Sequence, residues 1–275
     1  MTSGTPRKRL ALAFQVQRTE TLTPHLRRAV LGGPAFDAFV ERSNEHTDKY
    51  VKLQFLHPDA QYPEPLDLET VRATLPAEHW PVVRTYTVRW VDPDARELAV
   101  DFVIHGDEGI AGPWAMNAQP GDTLHLLGPG GAYHPSADAD WYLLAGDESA
   151  LPAISAAIEA MPDGAAVRAF VEVDGPQGEV PLATAADLHV TWLHRGDAAP
   201  GTTTLIADAV RSWEWPAGQV QVFVHGESGL LKALRSYFLT ERGLSRDRVS
   251  LSGYWRVGAS EEGFRRWKSE QGTTG

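Results

Sequence analysis

The sequence has no cysteine among its 275 residues. Disulfides, thiolate nucleophiles, CxxC redox pairs and cysteine-ligated iron–sulfur clusters are therefore excluded, so any electron transfer must use a bound organic cofactor or a metal held by other ligands. Long apolar runs are missing as well. No stretch approaches the roughly 20 residues of a membrane-spanning helix, and the start, Met1–Leu10, is polar and basic, without a signal peptide, which predicts a cytoplasmic protein. Positive charge is in deficit, with 25 Lys and Arg against 36 Asp and Glu and a net charge of −11. That balance disfavours nucleic acid and anionic membrane surfaces but leaves room for a local basic pocket around an anionic ligand. The ten histidines show no zinc spacing and no HExxH, and neither a GxSxG elbow nor a Walker A loop occurs. No metal site is expected, and hydride or electron transfer is better supported than hydrolysis.

The length and the 43% hydrophobic content allow one large or two medium cores. Leu10–Val30 reads as a first strand and turn, and YVKLQFL at 50–56 alternates as a half-buried strand does. Residues 39–50 are polar, and the proline-containing stretch 58–81 reads as a long loop with one short helical turn. Strands at 82–91, 97–105 and 122–127 follow at close spacing, which predicts an antiparallel barrel, and the segment 105–122 has room for one short helix. After Gly128–Gly131 the pattern changes. Strands at 141–145, 167–173, 189–193 and 221–224 alternate with helices at 151–160, 203–213 and 229–242, the signature of βαβ units around a parallel sheet. The boundary falls near 131–138, giving a barrel domain over residues 1–135 and an α/β domain with a C-terminal tail over 136–275. In that tail, Phe264 and Trp267 are spaced to anchor a short helix.

Several segments carry chemistry. RTYTVR at 84–89 sets Arg84, Tyr86 and Val88 on one face of a strand and Thr85, Thr87 and Arg89 on the other. It reads either as a half-exposed strand with basic ends or as an arginine fork for phosphate, with Tyr86 covering a planar ring and Thr87 offering a hydroxyl. HGDEGIAGPW at 105–114 brings Gly109 and Gly112 to a helix start, where backbone amides suit a pyrophosphate; a glycine-rich hairpin connection has much the same composition. WYLLAGDESALP at 141–152 runs from buried strand into helix, with Ser149 as a cap and Pro152 in the first turn, at the kind of strand end where open α/β sheets bind ligands. WLHRG places Arg195 after the next strand but one, as an adenosine 2′-phosphate contact favouring NADPH or as a solvated strand-closing residue. VFVHGESG puts His225, Gly226 and Glu227 at a further strand end, and SGYWRVG sets Tyr254 and Trp255 between glycines beside Arg256, as core and surface or as a ring-stacking edge.

Taken in order, RTYTVR, VDFVIHG at 100–106, GPGG at 128–131, LLAGDESALPAI at 143–154 and GYWRVG at 253–258 resemble the siderophore-interacting proteins, a branch of the ferredoxin reductase-like flavoproteins, over about residues 10–268. The resemblance implies an N-terminal antiparallel flavin-binding barrel, a C-terminal nucleotide-binding domain with a parallel sheet, and action on ferric siderophores in the cytoplasm with FAD and NADPH or NADH; a monomer is expected. Carried onto this sequence, it implies that Arg84, Thr85, Tyr86 and Thr87 hold the flavin, and that His105, Gly109, Ala111, Gly112 and Trp114 enclose the rest of FAD. Asp147, Glu148, Ser149, Arg195, Gly226 and Glu227 would line the nicotinamide nucleotide route, with Tyr254 and Trp255 near a cleft shared by the two halves. Lys52 and Arg256 are the candidate contacts for an anionic ferric siderophore. Glycine stands at 112 where the family more often has serine or threonine. It also stands at 130 where some relatives carry arginine, which weakens the expectation of a preference for highly anionic catecholate complexes. The implied chemistry is hydride transfer to FAD and one-electron reduction of Fe(III), with no acid–base triad. Two other readings fit the same residues: a general flavin or ferredoxin-type reductase with another acceptor, and a noncatalytic siderophore-binding or iron-handling flavoprotein.

Overall fold

The computed structural model describes residues 10–106, 109–260, 263, 264, 266, 267 and 270. The chain divides into two compact units, one of residues 1–22, 26–45 and 49–131, the other of residues 23–25, 46–48 and 132–275.

The first unit is built on β1 (Leu12–Thr23), β2 (Leu26–Gly32), α1 (Phe36–Arg42), β3 (Tyr50–Phe55), α2 (Leu68–Thr74), β4 (Val82–Asp92), β5 (Glu97–Val103), α3 (Ala111–Asn117) and β6 (Thr123–Gly130). Its six strands close into a barrel in the order β1-β2-β5-β4-β3-β6, as the close strand spacing predicts. Closure removes exposed sheet edges, and alternation fills the interior. Thus Leu12, Phe14 and Val16 of β1 point into a core shared with Leu53, Val88, Val100, Phe102 and Leu126. A bidentate pair at 2.7 and 2.8 Å joins Arg28 to the directly opposite Asp101, so neither charge is left uncompensated between β2 and β5. The segment 58–81 is more ordered than its prolines suggest. Asp67 accepts from the Glu69 amide at 3.1 Å to cap α2, and Val71 anchors that helix to the body.

The second unit comprises β7 (Trp141–Gly146), α4 (Leu151–Glu159), β8 (Ala166–Val173), β9 (Asp187–His194), α5 (Leu205–Ser212), β10 (Val220–Glu227), α6 (Ser228–Ser236) and β11 (Val249–Trp255). The sheet is parallel, in the order β11-β10-β7-β8-β9. Every residue of β7 and of β10 is buried, which is why WYLLAG reads as a continuous apolar run rather than an alternating one. The helix expected at 229–242 is α6 followed by a π-helical turn at Tyr237–Glu241. Ser149 is not the cap of α4. Ala150 occupies that position without a side-chain hydrogen bond, and the Ser149 hydroxyl donates instead to Asp147. Among the described residues, no helix is long and apolar enough to cross a membrane.

Candidate functional site

In the barrel unit, β3 lies between β4 and β6, and its register pairs Tyr50 with Thr87 and Gly130, and Lys52 with Thr85 and Leu127. Tyr50, Lys52 and Thr85 are exposed, so the two-residue period of the strands gathers a ring, a cation and a hydroxyl on one outer patch. Thr87 is buried beside them. On the opposite face of β4, Tyr86 lays its ring against Phe102 at 4.6 Å between centroids, and Phe102 in turn meets Trp114 of α3 at 5.5 Å. Arg84 is half-buried, with Nη1 donating to the Val83 carbonyl at 3.0 Å.

The β5–α3 connection supplies the other part of this site. His105 and Gly109 are exposed, Asp107 and Glu108 between them lie outside the described residues, and Ile110 precedes α3 without a side-chain cap. Ala111 and Gly112 therefore begin a helix whose first turn contains no acidic residue. A Cβ added at Gly112 would meet only the Val103 carbonyl at 3.8 Å and Ile104 Cδ1 at 4.0 Å, so a serine or threonine is sterically admissible here. Gly130 is different. A Cβ there would fall 2.5 Å from Tyr50 Cζ and 2.7 Å from its hydroxyl, because the tyrosine ring occupies the volume that a side chain at 130 would need.

In the second unit, the candidates cluster at the carboxyl ends of β7, β9, β10 and β11, the end where open α/β sheets bind ligands. Asp147, 8% exposed, holds them together. Its Oδ1 accepts from the Ser149 amide at 3.0 Å and from the Ser149 hydroxyl, while its Oδ2 accepts from the Glu227 amide and the Trp255 indole N–H, both at 2.8 Å. Gly226 makes that approach possible. It has φ +132°, and a Cβ on it would lie 2.7 Å from Asp147 Oδ2. Glu227 caps α6 by accepting from the amides of Gly229 and Leu230, and it also accepts from the Val257 amide at 3.2 Å. Tyr254 is fixed differently: its hydroxyl is 2.9 Å from His225 Nδ1, and His225 Nε2 is 2.9 Å from the Ser250 hydroxyl. Arg256 is exposed, with its guanidinium 5.0 Å from the centre of the Trp267 ring.

Glu148 and Arg195 form an ion pair at 2.8 Å, and Glu148 also accepts from the Asp174 amide at 3.2 Å. Glu172, 5% exposed, accepts from the Thr203 hydroxyl, and burial pushes its carboxyl above the usual range. The structure thus brings Asp147, Ser149, Glu227 and Trp255 into one hydrogen-bonded corner, while Glu148, next to Asp147 in the chain, pairs instead with Arg195 and the Asp174 amide. Lys52 lies in the barrel unit and Arg256 in the sheet unit. The sequence reading missed Asp147 as the common acceptor, Glu172, and the tyrosine over Gly130. None had a local signal, since the Asp147 partners at Glu227 and Trp255 are 80 and 108 residues away.

Comparison with known proteins gives matches on both units. A family model described as the siderophore-interacting FAD-binding domain matches residues 15–133, and one described as the siderophore-interacting protein matches 139–258. An uncharacterized protein of Mycobacterium tuberculosis is 49% identical over 94% of each chain. The ferric vibriobactin reductase ViuB of Vibrio cholerae is 38% identical over 68% of this chain and 69% of its own. The NADPH-dependent ferric-chelate reductase of Escherichia coli is 32% identical over 88% of this chain and 91% of its own. Among solved structures, a siderophore utilization protein from T. fusca superposes with a TM-score of 0.77 at 39% identity, covering 91% of this chain and 94% of that one.

Proposed function

The chain belongs to the siderophore-interacting protein family, and we propose that it is a cytoplasmic, NAD(P)H-dependent ferric-siderophore reductase containing FAD. The observation that carries this reading is the succession of the two family matches along one chain, an FAD-binding barrel and then a siderophore-interacting sheet domain, in a protein whose lack of cysteine excludes thiol redox pairs and cysteine-ligated iron–sulfur clusters as electron carriers. The names of the Vibrio and Escherichia relatives support ferric chelates as the acceptor.

The residues present fit FAD. Arg84 offers a guanidinium suited to phosphate, Thr85 and Thr87 offer hydroxyls beside it on the same strand, and Tyr86 backs them against Phe102. Gly109 and Gly112 leave the start of α3 unobstructed, with no carboxylate in its first turn to repel a pyrophosphate, so Ala111 and Gly112 amides are available as donors, with His105 and Trp114 at the borders of that loop. When bound, FAD supplies the conversion between a hydride donor that gives two electrons and ferric iron that accepts one. The sheet domain's part is to receive NAD(P)H at the corner formed by Asp147–Ser149, Gly226–Glu227 and Tyr254–Trp255. Lys52 and Arg256 attract the anionic chelate, each from its own unit. Hard oxygen chelators hold Fe(II) less tightly than Fe(III), so reduction releases the metal.

Anaerobic titration tests the whole reading. Purified protein is expected to show flavin absorption that bleaches on adding NADH or NADPH and recovers on adding a ferric siderophore, while a ferrous trap gains colour. Protein that takes up no FAD even when it is supplied would overturn the proposal. A reducible flavin that passes electrons to quinones or proteins but to no ferric chelate would replace it with the general flavin reductase reading. Within that assay, Arg84→Ala is expected to weaken FAD binding roughly tenfold to a hundredfold by removing a charge-assisted phosphate contact. Unchanged affinity in a folded variant would reject that assignment.

A further inference from the structure

Arg195 is the cation nearest in type and place to a 2′-phosphate receptor, yet its side chain is only 7% exposed and its guanidinium is held by a carboxylate. Nη1 lies 2.8 Å from one Glu148 oxygen, and Nη2 donates to the other at 3.1 Å. Glu148 is itself anchored from the other side by the Asp174 amide. To meet a phosphate, Arg195 would have to leave Glu148 behind as a buried charge without its cation, the most costly way to break such a pair.

Among the described residues, the ends of β7, β8 and β9 and the loops that follow them carry no lysine or arginine besides Arg195. They carry Asp147, Glu148, Glu172, Asp174, Glu179 and Asp197. Against these, His194 faces Glu179 at 2.8 Å, and His25 faces Asp174 at 3.3 Å. The carboxylates act on one another: Glu172 is pushed up first by burial and further by Asp147 and Glu148, opposed by the Thr203 hydroxyl and by Arg195. A dianionic phosphate brought to this edge meets like charge, whereas a free ribose diol brings hydroxyl donors that carboxylates accept.

We propose that this edge selects NADH over NADPH, and that Glu148 is the specificity-determining residue because it withdraws Arg195 from the 2′-phosphate. The inference rests on the nicotinamide reading above and adds its sign of discrimination. It separates two roles that the sequence assigned together, since Arg195 then organises the loop after β7 instead of contacting the nucleotide's phosphate.

Isothermal titration of the FAD-loaded protein with NAD+ and with NADP+ tests it without turnover. The wild-type protein is expected to bind NAD+ at least tenfold more tightly than NADP+. Glu148→Gln, which keeps an acceptor for the Asp174 amide but removes the charge, is expected to move that ratio toward NADP+ by roughly tenfold, and adding Arg195→Ala to it should abolish the gain. Equal or tighter NADP+ binding by the wild-type protein overturns the inference irrespective of how the variants fold. A ratio unmoved by Glu148→Gln in folded protein overturns the role of Glu148. Binding of neither nucleotide overturns the nicotinamide reading beneath it, and this inference with it.

Discussion

Asp147→Ala is expected to cost the sheet domain about 3 to 5 kcal/mol, read from urea unfolding followed by tryptophan fluorescence. Four donors converge on this carboxylate: the Ser149 amide and hydroxyl, the Glu227 amide and the Trp255 indole. Alanine leaves the buried Glu227 amide without its acceptor and releases the indole, so the loss combines desolvated donors with the removal of a cross-link between the ends of β7, β10 and β11. Asp147→Asn separates charge from shape. It keeps the size but presents an amide nitrogen to at least one of these donors, and a loss of about 2 kcal/mol is expected. Trp255 emission should shift to the red in both variants. A stability within about 1 kcal/mol of wild type for the alanine variant would show that the corner is held by packing instead.

Gly146→Ala is the second large effect, of about 3 kcal/mol, and its origin is steric. The added Cβ would sit 2.5 Å from the His225 carbonyl oxygen, 2.7 Å from Ala150 Cβ and 3.1 Å from Ile154 Cδ1. Two of these three contacts are with atoms fixed close to the backbone of β10 and α4, so no side-chain rotation relieves them, and β10 or the start of α4 has to move. Gly112→Ala is the matched control. It has space, lies in a helix, and should be neutral or slightly stabilising. Thermal unfolding of both variants checks the contrast, and similar melting temperatures for the two would refute the packing argument.

The fold was readable where local pattern and tertiary burial agree. WYLLAG is apolar throughout because β7 is covered on both faces, and YVKLQFL begins by alternating, with Tyr50 and Lys52 exposed and Val51 and Leu53 buried, because a barrel has an inside and an outside. Of the two seven-residue helices, α1 was not readable and α2 was legible only as one short helical turn within the loop 58–81, since two turns give too little periodicity to outweigh the polar residues and prolines around them. At the candidate site, the glycines and strand ends marked where loops gather. What each side chain does there depends on partners far along the chain. Asp147 looked like a residue facing a ligand, but four protein donors surround it, and Arg195 looked like a free cation until the fold brought Glu148 to it from 47 positions away. Sequence spacing carries no record of such long-range pairing.

Tyr50 and Gly130 extend this point from stability to the course of sequence change. The ring at 50 stands in the space above 130, and it is 41% exposed, so it can swing into solvent without unpacking the barrel. The two positions therefore share one volume and should diversify as a couple. A library randomised at both and selected for folded protein is expected to return sizes that are anticorrelated, an aromatic at 50 with glycine at 130, or a small residue at 50 with a long basic one at 130. In that exchange the outer patch around Lys52 gains a cation when it gives up a ring, so the charge of this patch becomes a heritable variable set by a two-codon swap.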